Sequence, residues 1–196
     1  SMITLSSVLV SVLICFVIGV PLGVIASYNK WYRDIQNVVL DAMQTLPYFC
    51  YLIPVLMFFG GNIVSAVIAT VIYSVPPIIR LTALGLSQVS GSYSEVSKSF
   101  GGTGIQTLNK VKFPLAVPSL VMGFNQTVIM AFAMQIVTPL IGGKGLGLQV
   151  FNALQRSDTG RGLSAGLAIV LLAIIIDRIT HAWTKKQRQA LGLDKS

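Results

Sequence analysis

Between two long apolar stretches lies the segment Ser92-Tyr93-Ser94-Glu95-Val96-Ser97-Lys98-Ser99-Phe100-Gly101-Gly102-Thr103-Gly104-Ile105-Gln106, inside a loop of 26 residues, Ser87–Lys112. Its pattern is that of a helix, a turn and a second helix. Ser92 and Glu95 stand three apart as in a capping box, in which a hydroxyl and a carboxylate satisfy the first free N–H groups of a helix. Tyr93, Val96 and Phe100 then recur at i, i+3 and i+7, giving one apolar face. Gly101-Gly102 stops that helix, because glycine takes the left-handed conformation without strain. Thr103 and Gln106 form a second capping box, and Ile105, Leu108 and Val111 supply the next apolar face before Pro114. One reading is an amphipathic loop lying on lipid head groups. The other is a docking element for a partner.

Outward from this loop the chain is strongly apolar. Of 196 residues, 54% are hydrophobic and only 10% are charged, with a mean hydropathy of +0.77. Glycine raises the apolar share to about 63%, against roughly 45–50% in soluble domains. That leaves too little polar surface to cover a globule. A helical span needs about 20 apolar residues. Five stretches qualify, at about 3–28, 35–59, 63–86, 113–139 and 163–183, with residues 87–112 as the long loop and 184–196 as a tail. The expected fold is all-α and integral to the membrane, a single transmembrane domain over 1–196. Pro47, Pro54 and Pro76-Pro77 lie inside spans, where a freed carbonyl is tolerated only if protein or water satisfies it.

The net charge of +8 is read through its distribution. Alternating sides place Lys30, Arg33, Lys98, Lys110, Lys112, Lys185, Lys186, Arg188 and Lys195 on one face, and Lys144, Arg156 and Arg161 on the other. The positive-inside rule puts the first group in the cytoplasm, hence the N-terminus outside and the C-terminus inside. Tyr28, Trp31, Tyr32 and Trp183 fall at the same boundary. A membrane-surface bias of this kind argues against nucleic acid as the partner. The first apolar stretch lacks a charged leading segment, so it does not read as a signal peptide.

Metal and covalent chemistry have little material. Cys15 and Cys50 both lie in apolar stretches and are expected as buried free thiols, and His181 is the single histidine. No G-x-x-x-x-G-K-[ST] motif occurs, since around Gly143-Lys144 the positions that need glycine and Ser/Thr hold Thr138 and Gly145. Gly19–Gly23 and Gly162–Gly166 are GxxxG pairs, which favour close helix approach.

The loop also resembles that of importer-type ABC permeases, which follow the form E-A-A, three residues, G, nine residues, I-x-L-P. Glu95-Val96-Ser97 precedes Lys98-Ser99-Phe100 and Gly101, and nine residues later comes Val111-Lys112-Phe113-Pro114. The spacing matches; Val96 and Ser97 replace the alanines, and Val111 and Phe113 replace Ile and Leu. Further segments are similar to the glycine betaine/proline betaine, or quaternary-amine, subfamily: Asp41–Pro47, Tyr51–Val55, Pro76–Thr82, Gly123–Thr127, Ile141–Gly147 and Asp177–Thr180. The resemblance implies a five-helix permease core of the methionine-importer type, working as a homodimer in the inner membrane of a prokaryote. It implies an ABC ATPase subunit docked on each loop and an external substrate-binding protein. ATP and magnesium would be held by the partner ATPase, with no cofactor on this chain and no catalytic residue in it.

Docking on that resemblance falls to Glu95, Ser97, Phe100, Gly101 and Pro114; cap and turn roles for Glu95 and Gly101 are compatible with it. Polar groups in apolar spans are costly unless paired or facing water. Gln44, Thr45, Asn125, Gln126, Gln135 and Thr138, with the neighbouring Met134, are therefore candidates for the translocation pathway. Hydrogen bonding between helices is the alternative for Asn125, and packing for Met130 and Met134. Asp41 is expected to pair with a cation or serve a gate, Arg80 to snorkel or join it, and Asp177 to meet His181 at i, i+4. The function expected is import of compatible solutes such as glycine betaine or proline betaine. Choline, carnitine or an amino acid as cargo, or ion-coupled transport through Asp41 or Asp177, are the alternatives.

Overall fold

The computed structural model describes residues 1–190; positions 191–196, with Lys195, lie outside the described residues, as do the side chains from Trp183 onward, including Lys185, Lys186 and Arg188. Ten α-helices form, and no strand occurs among the described residues. Helix α1 runs Met2–Tyr28 and α2 runs Lys30–Thr45, joined at Asn29, whose side chain accepts the Tyr32 N–H at 3.3 Å. Helix α3 is Phe49–Phe59, α4 Ile63–Ser74 and α5 Pro76–Ser87. Helices α6 (Gly91–Ser99) and α7 (Gly104–Thr107) make the loop. A π-helical turn, Leu108–Lys112, leads into α8 (Phe113–Met134). A 3₁₀ turn at Thr138–Ile141, α9 (Leu146–Gln155) and α10 (Thr159–Ala190) complete the chain.

Four helical stretches are long and apolar enough to cross a membrane, namely 2–28, 63–87, 104–134 and 159–182. The second expected span, 35–59, is instead two helices meeting at 94°. Leu46 is extended and Pro47 has no N–H, so the ladder of α2 cannot continue. The Tyr51 hydroxyl donates to the Met43 carbonyl across the break and satisfies one freed acceptor. The bent pair still connects the two faces. It leaves α1 beside Tyr28, whose ring lies 4.9 Å from Lys112 Nζ, and it ends at Gly60–Asn62, where Gly61 abuts Ile141. The opposite end of α1 is tied to this second face, where Thr4 Oγ1 accepts the Leu146 N–H at 2.8 Å. Five crossings result. The junction at 29 and the long loop 88–112 share one face, and 60–62 and 142–158 the other.

Helix α5 lies between α1 and α8. A side chain at Gly19 would collide with Ile78, and one at Gly23 with Thr82 and the Ile79 carbonyl, so the first GxxxG pair is the seam where α1 meets α5. Of the second pair, Gly162 lies against Ala153 while Gly166 faces open space. Apolar side chains fill four clusters. The largest joins Val8 and Val12 of α1 to Val128, Ala131 and Phe132 of α8 and Ile169 of α10. Cys15 is buried as expected, but Cys50 is exposed, because α3 turns that face outward from the chain.

Candidate functional site

The loop is built as the spacing predicts at its centre and differently at both ends. Helix α6 begins at Gly91, with Ser90 at its N-cap and no side-chain capping bond. The Ser92–Glu95 capping box does not form; Ser92 lies two residues inside the cap, and its hydroxyl meets that of Ser90 at 2.9 Å. Glu95 is thereby exposed, and among the described residues it joins no ion pair. At the other end Gly101 has φ +76, its N–H bonds the Lys98 carbonyl and the Gly102 N–H bonds the Ser97 carbonyl, both at 2.9 Å. This is a Schellman turn, with glycine at the left-handed position.

The second capping box is present, with Thr103 accepting from the Gln106 N–H at 3.4 Å and Gln106 Oε1 from the Thr103 N–H at 2.9 Å. The helix it starts is not a separate element. Residues 104–134 run on as one helical stretch through the π turn. Pro114 explains the π turn: it cannot donate to the carbonyl four residues back, and its ring crowds that carbonyl, so the ladder widens. The Phe113 N–H accordingly reaches back to the Leu108 carbonyl. Ser97 Oγ and Thr107 Oγ1 meet at 2.8 Å, pinning α6 to α7. Ser97 therefore sets the angle of the loop from inside it.

What the loop shows to its surroundings is apolar. Tyr93 is 53% exposed, Val96 55%, Phe100 89% and Ile105 74%. Leu108, placed on the same expected face as Ile105, instead packs inward with Phe113 on Leu86, Ala116 and Leu120. A Phe ring left almost bare on a helix of nine residues, beside an unpaired Glu95 and a rigid glycine turn, is a surface awaiting a partner.

The remaining candidates do not converge on one site. Asn125, Gln135 and Thr138 are buried within the chain, while Gln44, Thr45 and Gln126 are exposed. Met134 packs with Leu52, Val55, Ala69 and Ile141, which makes it a core residue here. Thr138 bonds the Gln135 carbonyl at 3.3 Å and Thr45 the Ala42 carbonyl at 3.0 Å, so both hydroxyls serve their own helices. Asn125 is the exception: neither amide atom has a partner among the described residues. Asp41 and Arg80 do meet, Oδ1 to a guanidinium nitrogen at 2.5 Å, linking α2 to α5. Asp177 and His181 lie 3.4 Å apart as their spacing predicts.

One element escaped the sequence reading. Apolar spacing alone leaves residues 146–155 between two spans, yet they form α9 and pack on α10. The available signal was the end of the next turn. Asp158, three residues before Arg161, caps α10 by accepting the Arg161 N–H at 3.1 Å.

Residues 19–189 match the family profile described as "Binding-protein-dependent transport system inner membrane component". The chain is 46% identical over 185 residues to the glycine betaine/carnitine transport permease protein GbuB of Listeria monocytogenes, covering 94% of this chain and 66% of that one. It is 44% identical over 188 residues to the glycine betaine/proline betaine transport system permease protein ProW of Escherichia coli, covering 96% and 53%. The chain thus spans between about half and two thirds of the length of these relatives. In three dimensions it superposes on a chain of the MetNI methionine ABC transporter, crystallised in inward-facing conformations, with a TM-score of 0.80 at 24% identity over 92% of this chain and 93% of that one. The expected five-helix core of the methionine-importer type is the fold observed.

Proposed function

The chain belongs to the family of inner membrane components of binding-protein-dependent transport systems, and from that premise we propose that it is the permease subunit of an ATP-driven importer for glycine betaine or proline betaine. The observation that carries the proposal is the loop. Glu95, Tyr93, Val96 and Phe100 stand exposed on a short helix whose end is locked by Gly101, on the face that collects Lys30, Arg33, Lys98, Lys110 and Lys112. That face is the cytoplasmic one by the positive-inside rule, with the N-terminus outside.

The partner on the loop is an ABC ATPase, and an external binding protein delivers solute to the opposite face. Two copies of this chain pair, each with one ATPase and neither with a catalytic residue. ATP and magnesium act on the ATPase, and closing its two copies draws the loops together. A rigid loop transmits that motion into the span, because α7, the π turn and α8 are continuous. The solute class is supported by the relatives, whose names give glycine betaine with carnitine or with proline betaine. Of the polar candidates, Gln44, Thr45 and Gln126 are exposed and available to a route between the copies, whereas Asn125, Gln135 and Thr138 lie inside the chain. Ion-coupled transport is less favoured, since Arg80 holds Asp41 and His181 lies against Asp177.

The test is co-purification in detergent with the cognate ATPase, comparing wild type with a Glu95→Ala/Gly101→Arg double variant. The wild type retains the ATPase and the variant, still folded by circular dichroism, loses it. A folded wild type that retains no ATPase would overturn the reading. Uptake of labelled betaine by vesicles holding the whole importer then separates betaines from choline and amino acids.

A further inference from the structure

Inside a membrane, the side chains that a helix turns outward tell what covers it. From Leu9 to Ile25 the exposed residues of α1 are all apolar, and so are those of α10 from Leu167 to Ile175. Those two faces suit lipid. Helix α2 differs. Lys30, Asp34, Asn37, Asp41 and Gln44 follow one another at three or four residues, Thr45 lies beside Gln44, and all six are exposed. They form one polar stripe along the helix. Trp31, Ile35, Val38 and Val39 make a separate exposed apolar strip, while Leu40 turns into the chain.

The stripe reaches the middle of the membrane. Leu40 is buried in one cluster with Cys15, Ile78 and Ile79, and Cys15 is the central residue of the 27-residue α1. Asp41 follows Leu40 and Arg80 follows Ile79, so both charges lie at that depth. They pair at 2.5 Å, yet on the single chain the Asp41 side chain is 62% exposed and that of Arg80 38%. One guanidinium nitrogen serves one carboxylate oxygen, and among the described residues neither group has another partner. Acyl chains offer nothing to the remaining N–H groups and lone pairs. Gly123 of α8 packs against Leu81, the neighbour of Arg80, and Gln126 stands exposed one turn further along α8. Polar groups therefore face outward from three adjoining helices, α2, α5 and α8.

We infer that this face is where a second copy of the chain seats, the α2 stripe and Arg80 of each copy turned toward those of the other. The inference rests on the importer reading for its premise that two copies pair. A two-fold pairing is isologous, so whatever one copy presents to its partner, the partner presents in return. A face of one charge would repel its own copy. A face with an acid and a base side by side complements itself, because the two-fold brings Asp41 of one copy toward Arg80 of the other. The apolar faces of α1 and α10 are left to lipid.

The test uses the assembled importer in its membrane, with two differently tagged copies of the chain. A Cys50→Ser background removes the exposed native thiol. In it, Gln44→Cys is expected to join the two copies through a short bifunctional thiol reagent. Leu13→Cys on α1 and Leu171→Cys on α10, both exposed, are expected to stay unlinked. Capture of one tagged copy by the other is then read for charge variants. D41R against D41R and R80D against R80D lose capture. D41R against R80D regains it, since one copy then carries two positive groups and the other two negative. Links through Leu13→Cys or Leu171→Cys, with none through Gln44→Cys, overturn the inference. So does a mixed pair captured no better than the same-sign pairs when both variants retain the ATPase and are therefore folded. The cysteine arm leaves both charges in place, so it decides even where a reversed charge prevents insertion. The two readings fail separately. Copies joined through another face that still import betaine sink this interface alone, whereas copies joined through Gln44→Cys that retain no ATPase sink the importer reading alone.

Discussion

Two helices of this protein end in the same hydrogen-bonded turn on opposite faces of the membrane, and they fill its critical position differently. Helix α6 closes with Gly101 N–H on Lys98 and Gly102 N–H on Ser97, both at 2.9 Å. Helix α9 closes with Ser157 N–H on Leu154 at 3.2 Å and Asp158 N–H on Ala153 at 2.9 Å. The left-handed residue is glycine in the first, at φ +76, and serine in the second, at φ +54. Nothing lies within 4 Å of where a Gly101 side chain would begin, so that glycine is there for its backbone and not for space. The hydrogen bonds decide the turn; the residue type decides what it costs. In α9 the cost is held in place from outside, by the Asp158 cap and its ion pair with Arg161.

The contrast can be broken at its strongest point by Gly101→Val. A β-branched residue at a left-handed position costs about 2 kcal/mol. Amide hydrogen exchange should show residues 97–107 opening while the spans keep their protection. Next in size is Thr103→Ala, which removes the formed capping box and costs about 1 kcal/mol, read as faster exchange at the start of α7. Opposite in sign is Ser157→Gly. Relief of strain less the added freedom of the unfolded chain leaves a gain of about 0.5 kcal/mol, visible as a small rise in melting temperature in detergent. Smallest is Ser92→Ala, expected to change loop exchange by less than about 0.5 kcal/mol because that hydroxyl caps nothing. An effect of Ser92→Ala as large as that of Thr103→Ala would put the helix start back at Ser92.

The same pair of capping motifs shows how far the sequence could be read. Thr103–Gln106 and Ser92–Glu95 are equally good as patterns, yet only the first is formed. Gly102 packs against Ser97 just before Thr103, and the Ser97–Thr107 bond fixes that end of the second helix. Nothing comparable pins the start of α6, which extends back to Gly91. The spans were legible because burial in lipid demands long apolar runs, and the break at Pro47 was legible as a proline but not as a bend of 94°. Asp41 and Arg80 are 39 residues apart, so their pairing could be named as a need of each and not as a contact. Met134 and Gln135 are neighbours, and only packing says that the first belongs to the core with Ile141.

By itself the amino-acid order determined the solvent, the number of crossings, the face that gathers positive charge and the loop with its glycine turn. Each of these follows from local chemistry: apolar length, charge count, or the conformational freedom of one residue. Tertiary structure decided which polar groups in the spans are inside, that α9 exists as a helix against α10, and that Arg156, Asp158 and Arg161 share one cleft. Those outcomes depend on which helix faces which, and a helix carries no record in its own sequence of the partner that will cover it.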